Sequence, residues 1–97
     1  MIQNVIMMNK YIVEIGEICL ERISEYYIVY TKDSKEELED NEKFISAVDE
    51  AIVELYDNYG EEDEDWEDFQ DDMGIIKIDD WKDEYKKYDL PILLDER

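Results

Sequence analysis

The stretch YIVEIGEICLERISEYYIVYT, residues 11–31, decides the fold because its pattern suits either a helix or strands. Between Val5 and about Glu25 the apolar residues recur at intervals of three or four, as in an amphipathic helix. The members of this apolar stripe are Val5, Met8, Ile12, Ile15, Cys19 and Ile23. The same stretch is rich in Ile, Val and Tyr, which favour strands, and IGEI (15–18) fits a hairpin turn with glycine first. We predict a helix here and keep strands as the alternative, with YYIVYT (26–31) the segment that most favours a strand.

The middle of the chain carries the clearest helical pattern. Asp33 or Ser34 is a candidate N-cap, and Gly60 is placed to end the helix as its C′ residue. The apolar residues between them form one stripe: Leu38, Ile45, Val48, Ile52, Leu55 and Tyr59. This spacing predicts a long second helix.

A third, short helix is predicted where the apolar spacing continues at Trp66, Phe69 and Met73, and Gly74 closes it. The following IIKI (75–78) fits a short strand or a buried extended link. The segment DDWKDEYKKYD (79–89) predicts one or two helical turns that Pro91 ends, and the last residues are expected to fray.

Together these elements predict a mainly α fold of three to four helices in a single domain, residues 1–97, with at most a short strand segment. The alternative is α+β, with helices packed on a small antiparallel sheet. A chain of 97 residues with 44% hydrophobic content supports one modest core. Because Cys19 is the only cysteine, no internal disulfide forms, and we expect a buried, reduced thiol. No basic region precedes the first apolar residues and no apolar run is long enough to cross a bilayer, so a cytoplasmic location is expected.

The charge restricts the class of partner. Thirty acidic residues against ten basic ones give a net charge of −20. Nucleic acid and anionic membranes carry the same sign and repel such a chain. Basic proteins remain as partners, and the most basic protein surfaces are commonly those that bind nucleic acid.

The acidic run EEDEDWEDFQDDM, residues 61–73, holds nine carboxylates and no basic residue. If the run is helical, five like-charge pairs fall at i,i+4, and each costs roughly 0.2–0.5 kcal/mol. Acids in the last turn of a helix also oppose its dipole. This placement predicts a surface selected for a partner, although a solvated charged face is the plain alternative. The predicted partner-binding residues are Asp57, Tyr59, Glu61, Glu62, Asp63, Glu64, Asp65, Glu67, Asp68, Asp71 and Asp72, whereas Trp66 and Phe69 are expected to anchor the run to the core.

Metal binding and catalysis have little support in the sequence. Neither DEDWEDFQDDMG nor DNYGEEDEDWED has the glycine that the sixth position of an EF-hand loop requires. The chain has no histidine and no glycine-rich phosphate loop, so we expect a protein that is not an enzyme and has no cofactor and no metal site.

Two motifs give the chain a family resemblance. EKFISA (42–47) and FQDDMGIIKI (69–78), with an acidic run between them, resemble segments of the small acidic phage anti-CRISPR inhibitors of type II CRISPR–Cas effector nucleases. The resemblance covers about residues 42–78; SEYYIV (24–29) and NKYIV (9–13) match strands of that family more faintly. The family's Asp/Asn/Gly-rich hairpin loop has no counterpart here, and several extra residues separate the two motifs.

The resemblance implies a DNA mimic that occupies the site where a guide-loaded nuclease reads the protospacer-adjacent motif. It implies that the acids 61–65, 67 and 68 meet the arginines of that site. The alternatives are an antirestriction DNA mimic, an immunity protein that neutralises a basic nuclease toxin, and a calcium-binding acidic module. The sequence leaves open whether the protein is a monomer or a dimer.

Overall fold

The computed structural model describes residues 8–19, 22–60 and 62–97, which form a four-stranded sheet with helices on one face. The strands are β1 (Asn9–Glu17), β2 (Ser24–Thr31), β3 (Met73–Asp80) and β4 (Ile92–Asp95). Their order is β3-β1-β2-β4; β1 is antiparallel to β2 and β3, and β4 is parallel to β2. The fold is therefore α+β, and the predicted mainly α fold is wrong. The alternative gave the right class, but the sheet is mixed and not purely antiparallel.

The predicted first helix is replaced by β1 and β2. Side chains alternate along a strand, so Tyr11, Val13 and Ile15 face the helices while Ile12 faces the other side. The helical stripe had placed Ile12 and Ile15 together. The spacing was misleading because β1 is a central strand with both faces covered, and a dense apolar run always contains residues three and four apart. Residues 5–7, 20 and 21 of that prediction lie outside the described residues.

The turn between β1 and β2 is not at Gly16, as the IGEI alternative required. Gly16 lies inside β1, opposite Ser24 and Gly74, and the Glu17 amide donates to the Ile23 carbonyl at 2.9 Å. A Cβ on Gly16 would lie 2.1 Å from the Ile23 carbonyl oxygen, so only glycine permits this close approach. The predicted strand YYIVYT is confirmed as part of β2.

The middle of the chain forms two helices where one was predicted, α1 (Lys35–Glu39) and α2 (Glu42–Tyr59). Ser34 caps α1 as expected, in a capping box with Glu37. Asn41 is the N-cap of α2, and its side chain accepts hydrogen bonds from the amides of Lys43 and Phe44. Gly60 is the C-cap of α2 with an extended backbone, not the left-handed C′ residue that was predicted.

The core lies between α2 and the covered face of the sheet. Most of the predicted stripe of α2 is buried there, but Ile45 and Tyr59 are 45% and 52% exposed. Phe44, which the stripe omitted, is fully buried. The buried core residues from the sheet and the helices include Val13, Ile15, Val29, Leu38, Phe44, Val48, Ile52, Leu55, Phe69 and Met73.

The last third of the chain is more extended than predicted. The third helix, α3 (Trp66–Asp72), passes directly into β3 at Met73, so Gly74 does not close it, and IIKI is a strand. A 3₁₀ helix at Asp83–Lys87 matches the expected helical turn. The expected frayed end is wrong, because residues after Pro91 form β4 against β2.

Cys19 is exposed in the turn after β1, which corrects the expected buried thiol. Its position follows from the hairpin: the helical stripe that would have buried it does not exist. Across residues 8–19, 22–60 and 62–97, none of the helices combines the length and apolar character needed to span a bilayer.

Candidate acidic binding surface

The charge of the protein is concentrated in its helical layer. Residues 35–72, which include α1, α2 and α3, hold 18 acidic residues and two lysines, a net charge of −16 out of −20. The strands, the β1–β2 turn and the C-terminal segment are therefore close to neutral in comparison. Because the helices cover one face of the sheet, the fold converts an acidic sequence into a molecule with one strongly anionic side.

Five carboxylates meet around a shallow depression that is open to solvent and has a volume of about 510 Å³. We call this site the acidic depression; it is lined by Asp63, Glu64, Asp68, Asp71 and Asp72. Two of these residues come from the loop that precedes α3 and three from α3 itself. The depression is thus formed by one continuous segment of the chain.

An aromatic cluster fixes this segment on the core. The Tyr56 hydroxyl of α2 donates to the Glu64 carbonyl at 2.6 Å. The Tyr56 ring packs edge-on against Trp66 and Phe69, with centroids 5.4 and 5.1 Å away. Phe69 is buried and Trp66 packs half-buried against the core, so the predicted anchoring role of both residues is confirmed.

The other end of α3 is fixed by the sheet. The Ile18 amide donates to the Asp72 carbonyl at 2.9 Å. Met73, the first residue of β3, is buried in the core. Asp71 and Asp72 are therefore held beside the sheet although both side chains are exposed. A surface that is anchored at both ends loses little conformational entropy when a partner binds.

No carboxylate between Asp57 and Asp72 takes part in an ion pair within the described part of the chain. The ion pairs found there all lie elsewhere: Arg22–Glu17, Lys35–Asp80, Lys77–Asp79, Lys86–Asp83 and Arg97–Asp95. The same described residues contain no group of three or more side chains positioned to hold a metal ion. The acids of the depression thus line an opening to solvent without an ion-pair partner among the described residues.

The structure brings together only part of the predicted site. Besides the five residues of the acidic depression, Glu62, Asp65 and Glu67 are exposed but do not line it. Asp57 and Tyr59 lie at the end of α2, and the Tyr59 hydroxyl donates to Glu25 at 3.0 Å, which raises the pKa of Tyr59. Glu61 lies outside the described residues.

The predicted series of like-charge pairs is shorter than expected. Only Glu67/Asp71 and Asp68/Asp72 fall inside a helix, because residues 62–65 are non-helical. The cost of repulsion at i,i+4 then falls to about 0.4–1 kcal/mol for the two pairs. The acids form a cluster around a depression and not a straight helical row.

Sequence reasoning missed a second concave site on the opposite face of the sheet. It is a groove of about 450 Å³ between the strands and the segment that contains the 3₁₀ helix. We call it the tyrosine groove; its lining includes Ile12, Glu14, Tyr26, Lys77, Tyr85 and Tyr88. The signal was the alternation along β2: Tyr27 and Val29 are buried in the core, so Tyr26 and Ile28 lie on the other face of the sheet.

Comparison with known proteins gives no assignment: no family model, no curated protein and no solved structure matches the chain. The two motifs on which the expected resemblance rests have clear positions in this fold. EKFISA (42–47) forms the start of α2, and FQDDMGIIKI (69–78) spans the junction of α3 and β3. Three residues of the acidic depression, Asp63, Glu64 and Asp68, lie between the two motifs, and Asp71 and Asp72 lie in the second motif.

Proposed function

We propose that this protein inhibits a basic nucleic-acid-binding enzyme by occupying its phosphate-binding groove with the acidic depression. The observation that carries the proposal is the set of five carboxylates, in no ion pair among the described residues, around one solvent-open depression. A cationic groove that binds a DNA backbone presents lysine and arginine side chains at short spacing. Carboxylates make charge-assisted hydrogen bonds with the same side chains.

The energetics favour a partner role over a plain solvated face. Among the described residues, no lysine or arginine forms an ion pair with these close anions, so their mutual repulsion is not relieved there. An enzyme groove relieves it, since each carboxylate gains a cationic neighbour on binding. Close charge pairs across interfaces couple by about 1.5–7 kcal/mol in favourable cases, and long-range attraction raises the association rate.

The first candidate target is a guide-loaded type II CRISPR–Cas effector nuclease. Support comes from the resemblance over residues 42–78, whose acidic part contributes to the acidic depression. In such a nuclease two arginines read the guanines of the protospacer-adjacent motif. The proposed mechanism is competition: the carboxylates occupy those arginines and DNA is not recognised. A phage-encoded inhibitor of this kind acts in the cytoplasm of the host cell.

A second candidate is a basic nuclease toxin, with this protein as its immunity partner. The observation that favours it is the shape of the acidic surface, which is a compact cluster and not an extended row of charges. A compact cluster suits a single cationic site on a small enzyme. A long, rod-like antirestriction mimic has less support, because α3 has only seven residues.

The test is capture from a host extract followed by a cleavage assay on the captured enzyme. A purified guide-loaded type II nuclease and a basic nuclease toxin are assayed in parallel. The site variant combines Glu64→Gln, Asp68→Asn and Asp72→Asn. Each loses a charged hydrogen bond worth about 1.5–3 kcal/mol, so the three together should weaken inhibition at least about 1,000-fold.

A matched control removes the same charge elsewhere, at exposed positions outside the depression: Glu36→Gln, Glu84→Gln and Asp89→Asn. The control should inhibit like the unchanged protein, apart from a small effect on the association rate. Equal weakening in both variants would show that only net charge matters and would contradict the proposal. Saturable calcium binding at micromolar concentration that is lost in the site variant would also contradict the proposal and would indicate a metal-binding function instead.

A further inference from the structure

The tyrosine groove lies on the sheet face opposite α1, α2 and α3, between the strands and the segment that contains the 3₁₀ helix. Glu14 of β1 stands directly opposite Tyr26 of β2 and opposite Lys77 of β3. From the other side, the segment after β3 brings Tyr85 and Tyr88 over the strands. The groove therefore has aromatic walls with a carboxylate at its base.

The same sheet face already holds cations over aromatic rings. Next to the groove, the Lys10 ammonium lies 3.9 Å from the centroid of the Trp81 ring. The Arg97 guanidinium lies 3.7 Å from the centroid of the Tyr30 ring, which is stacking distance. Trp81 contacts Tyr85 edge-on with centroids 5.5 Å apart, so these pairs and the groove form one continuous aromatic surface.

The groove has an excess of negative charge. The Lys77 ammonium is held by Asp79 at 2.9 Å, which compensates that carboxylate. Glu14 accepts a hydrogen bond from Ser24, and burial together with Glu14 raises the pKa of Tyr26. Within the ranges that the structure describes, no lysine or arginine nitrogen lies within 4.0 Å of the Glu14 carboxylate.

We propose that the tyrosine groove binds an arginine side chain of the partner protein, which stacks on the tyrosines and donates to Glu14. A planar guanidinium fits because it stacks on aromatic rings and donates to a carboxylate in the same pose. The Arg97–Tyr30 pair shows this stacking on the same face. The inference rests on the proposed function, since it gives the same basic partner a second contact on the opposite side of the sheet from the helices.

The test uses labelled full-length protein and the probe peptide acetyl-Gly-Arg-Gly-amide. Ring chemical shifts of Tyr26, Tyr85 and Tyr88 are followed by NMR during the titration. We expect saturable shifts at millimolar peptide, with weaker binding of the lysine peptide and no binding of the isosteric, uncharged citrulline peptide. Tyr26→Leu and Glu14→Gln should each weaken binding about two- to fivefold, the loss expected for one exposed cation–π or charge contact.

Two controls separate the groove from general attraction to an acidic protein. Tyr30→Leu, whose ring is already covered by Arg97, should leave peptide binding unchanged. The triple variant of the acidic depression should also leave it unchanged. If Tyr26→Leu loses its fold, Tyr88→Leu serves in its place, because that ring is 54% exposed.

Three results would overturn the inference: shifts confined to the acidic depression, equal binding of the citrulline peptide, or equal binding of the lysine peptide. The peptide titration is independent of the enzyme target. Failure of the proposed function appears as no captured enzyme while the groove still binds arginine. Failure of the groove appears as no peptide binding while capture and inhibition persist.

Discussion

Neutralising the end of α3 should make the protein more stable and a weaker binder. The perturbation is the double substitution Asp71→Asn and Asp72→Asn. Both residues occupy the last turn of α3, where the helix dipole disfavours anions, and that turn has no basic residue. They also form i,i+4 like-charge pairs with Glu67 and Asp68. Both side chains are exposed, so no packing is lost.

The expected gain follows from these two effects. Removing both i,i+4 pairs relieves about 0.4–1 kcal/mol. Removing two anions from the helix end adds about 0.3 kcal/mol each, the low value because α3 is short and exposed. The free energy of unfolding should thus rise by about 1–1.6 kcal/mol at low salt. For a domain of this size, each kcal/mol corresponds to about 4–8 °C in melting temperature.

Urea unfolding at about 10 mM and about 1 M salt measures the effect, since the Debye length falls from about 30 to about 3 Å. The gain should be present at low salt and nearly absent at high salt. A control of equal charge, Asp83→Asn with Glu84→Gln, alters the first turn of the 3₁₀ helix and removes the Lys86–Asp83 pair, so no gain is expected. An equal gain in the control, or a gain that persists at high salt, would refute the argument from α3.

Three further changes test particular contacts. Tyr56→Phe removes the hydrogen bond to the Glu64 carbonyl and should lower the free energy of unfolding by about 1 kcal/mol. Amide exchange in the loop before α3 should become faster. Unchanged exchange would show that this hydrogen bond does not hold the loop. Gly16→Ala forces a methyl group against a neighbouring carbonyl and should cost about 1–3 kcal/mol or more in urea unfolding, whereas a neutral result would mean that the strands separate easily. Arg97 lowers the pKa of Asp95 to about 2. The stabilisation of the folded protein by the Asp95–Arg97 pair is therefore complete above about pH 4 and is lost as pH falls towards 2. Carboxyl NMR titration of an Arg97→Gln variant should show the Asp95 pKa back near its ordinary value, and no change would exclude the pair as its cause.

Much of the helical layer could be predicted from the sequence, because its signals are local. Ser34 caps α1 through contacts within four residues, and the apolar spacing of α2 needs only one buried face. The anchoring of the acidic run by Phe69 followed from the same spacing. The break at Asn41 was missed because an N-cap inside a continuous apolar stripe looks like an ordinary helical residue.

The strands could not be predicted with the same certainty, because their stability comes from neighbours far away in the chain. β1 pairs with β2 and β3, and its two faces are buried only because α2 packs on one and the 3₁₀ segment reaches the other. β4 was missed for the same reason, since a four-residue strand is stable only beside β2. The tyrosine groove likewise joins residues of β1, β2, β3 and the C-terminal segment.

The sequence alone determined that this protein carries a net charge of −20, most of it in one segment, because charge is a sum over residues that folding does not change. It did not determine how those charges are arranged. Tertiary structure decided that, since Tyr56, Phe69 and β3 bend the acidic segment around a depression, and distances between side chains depend on contacts that no local pattern records.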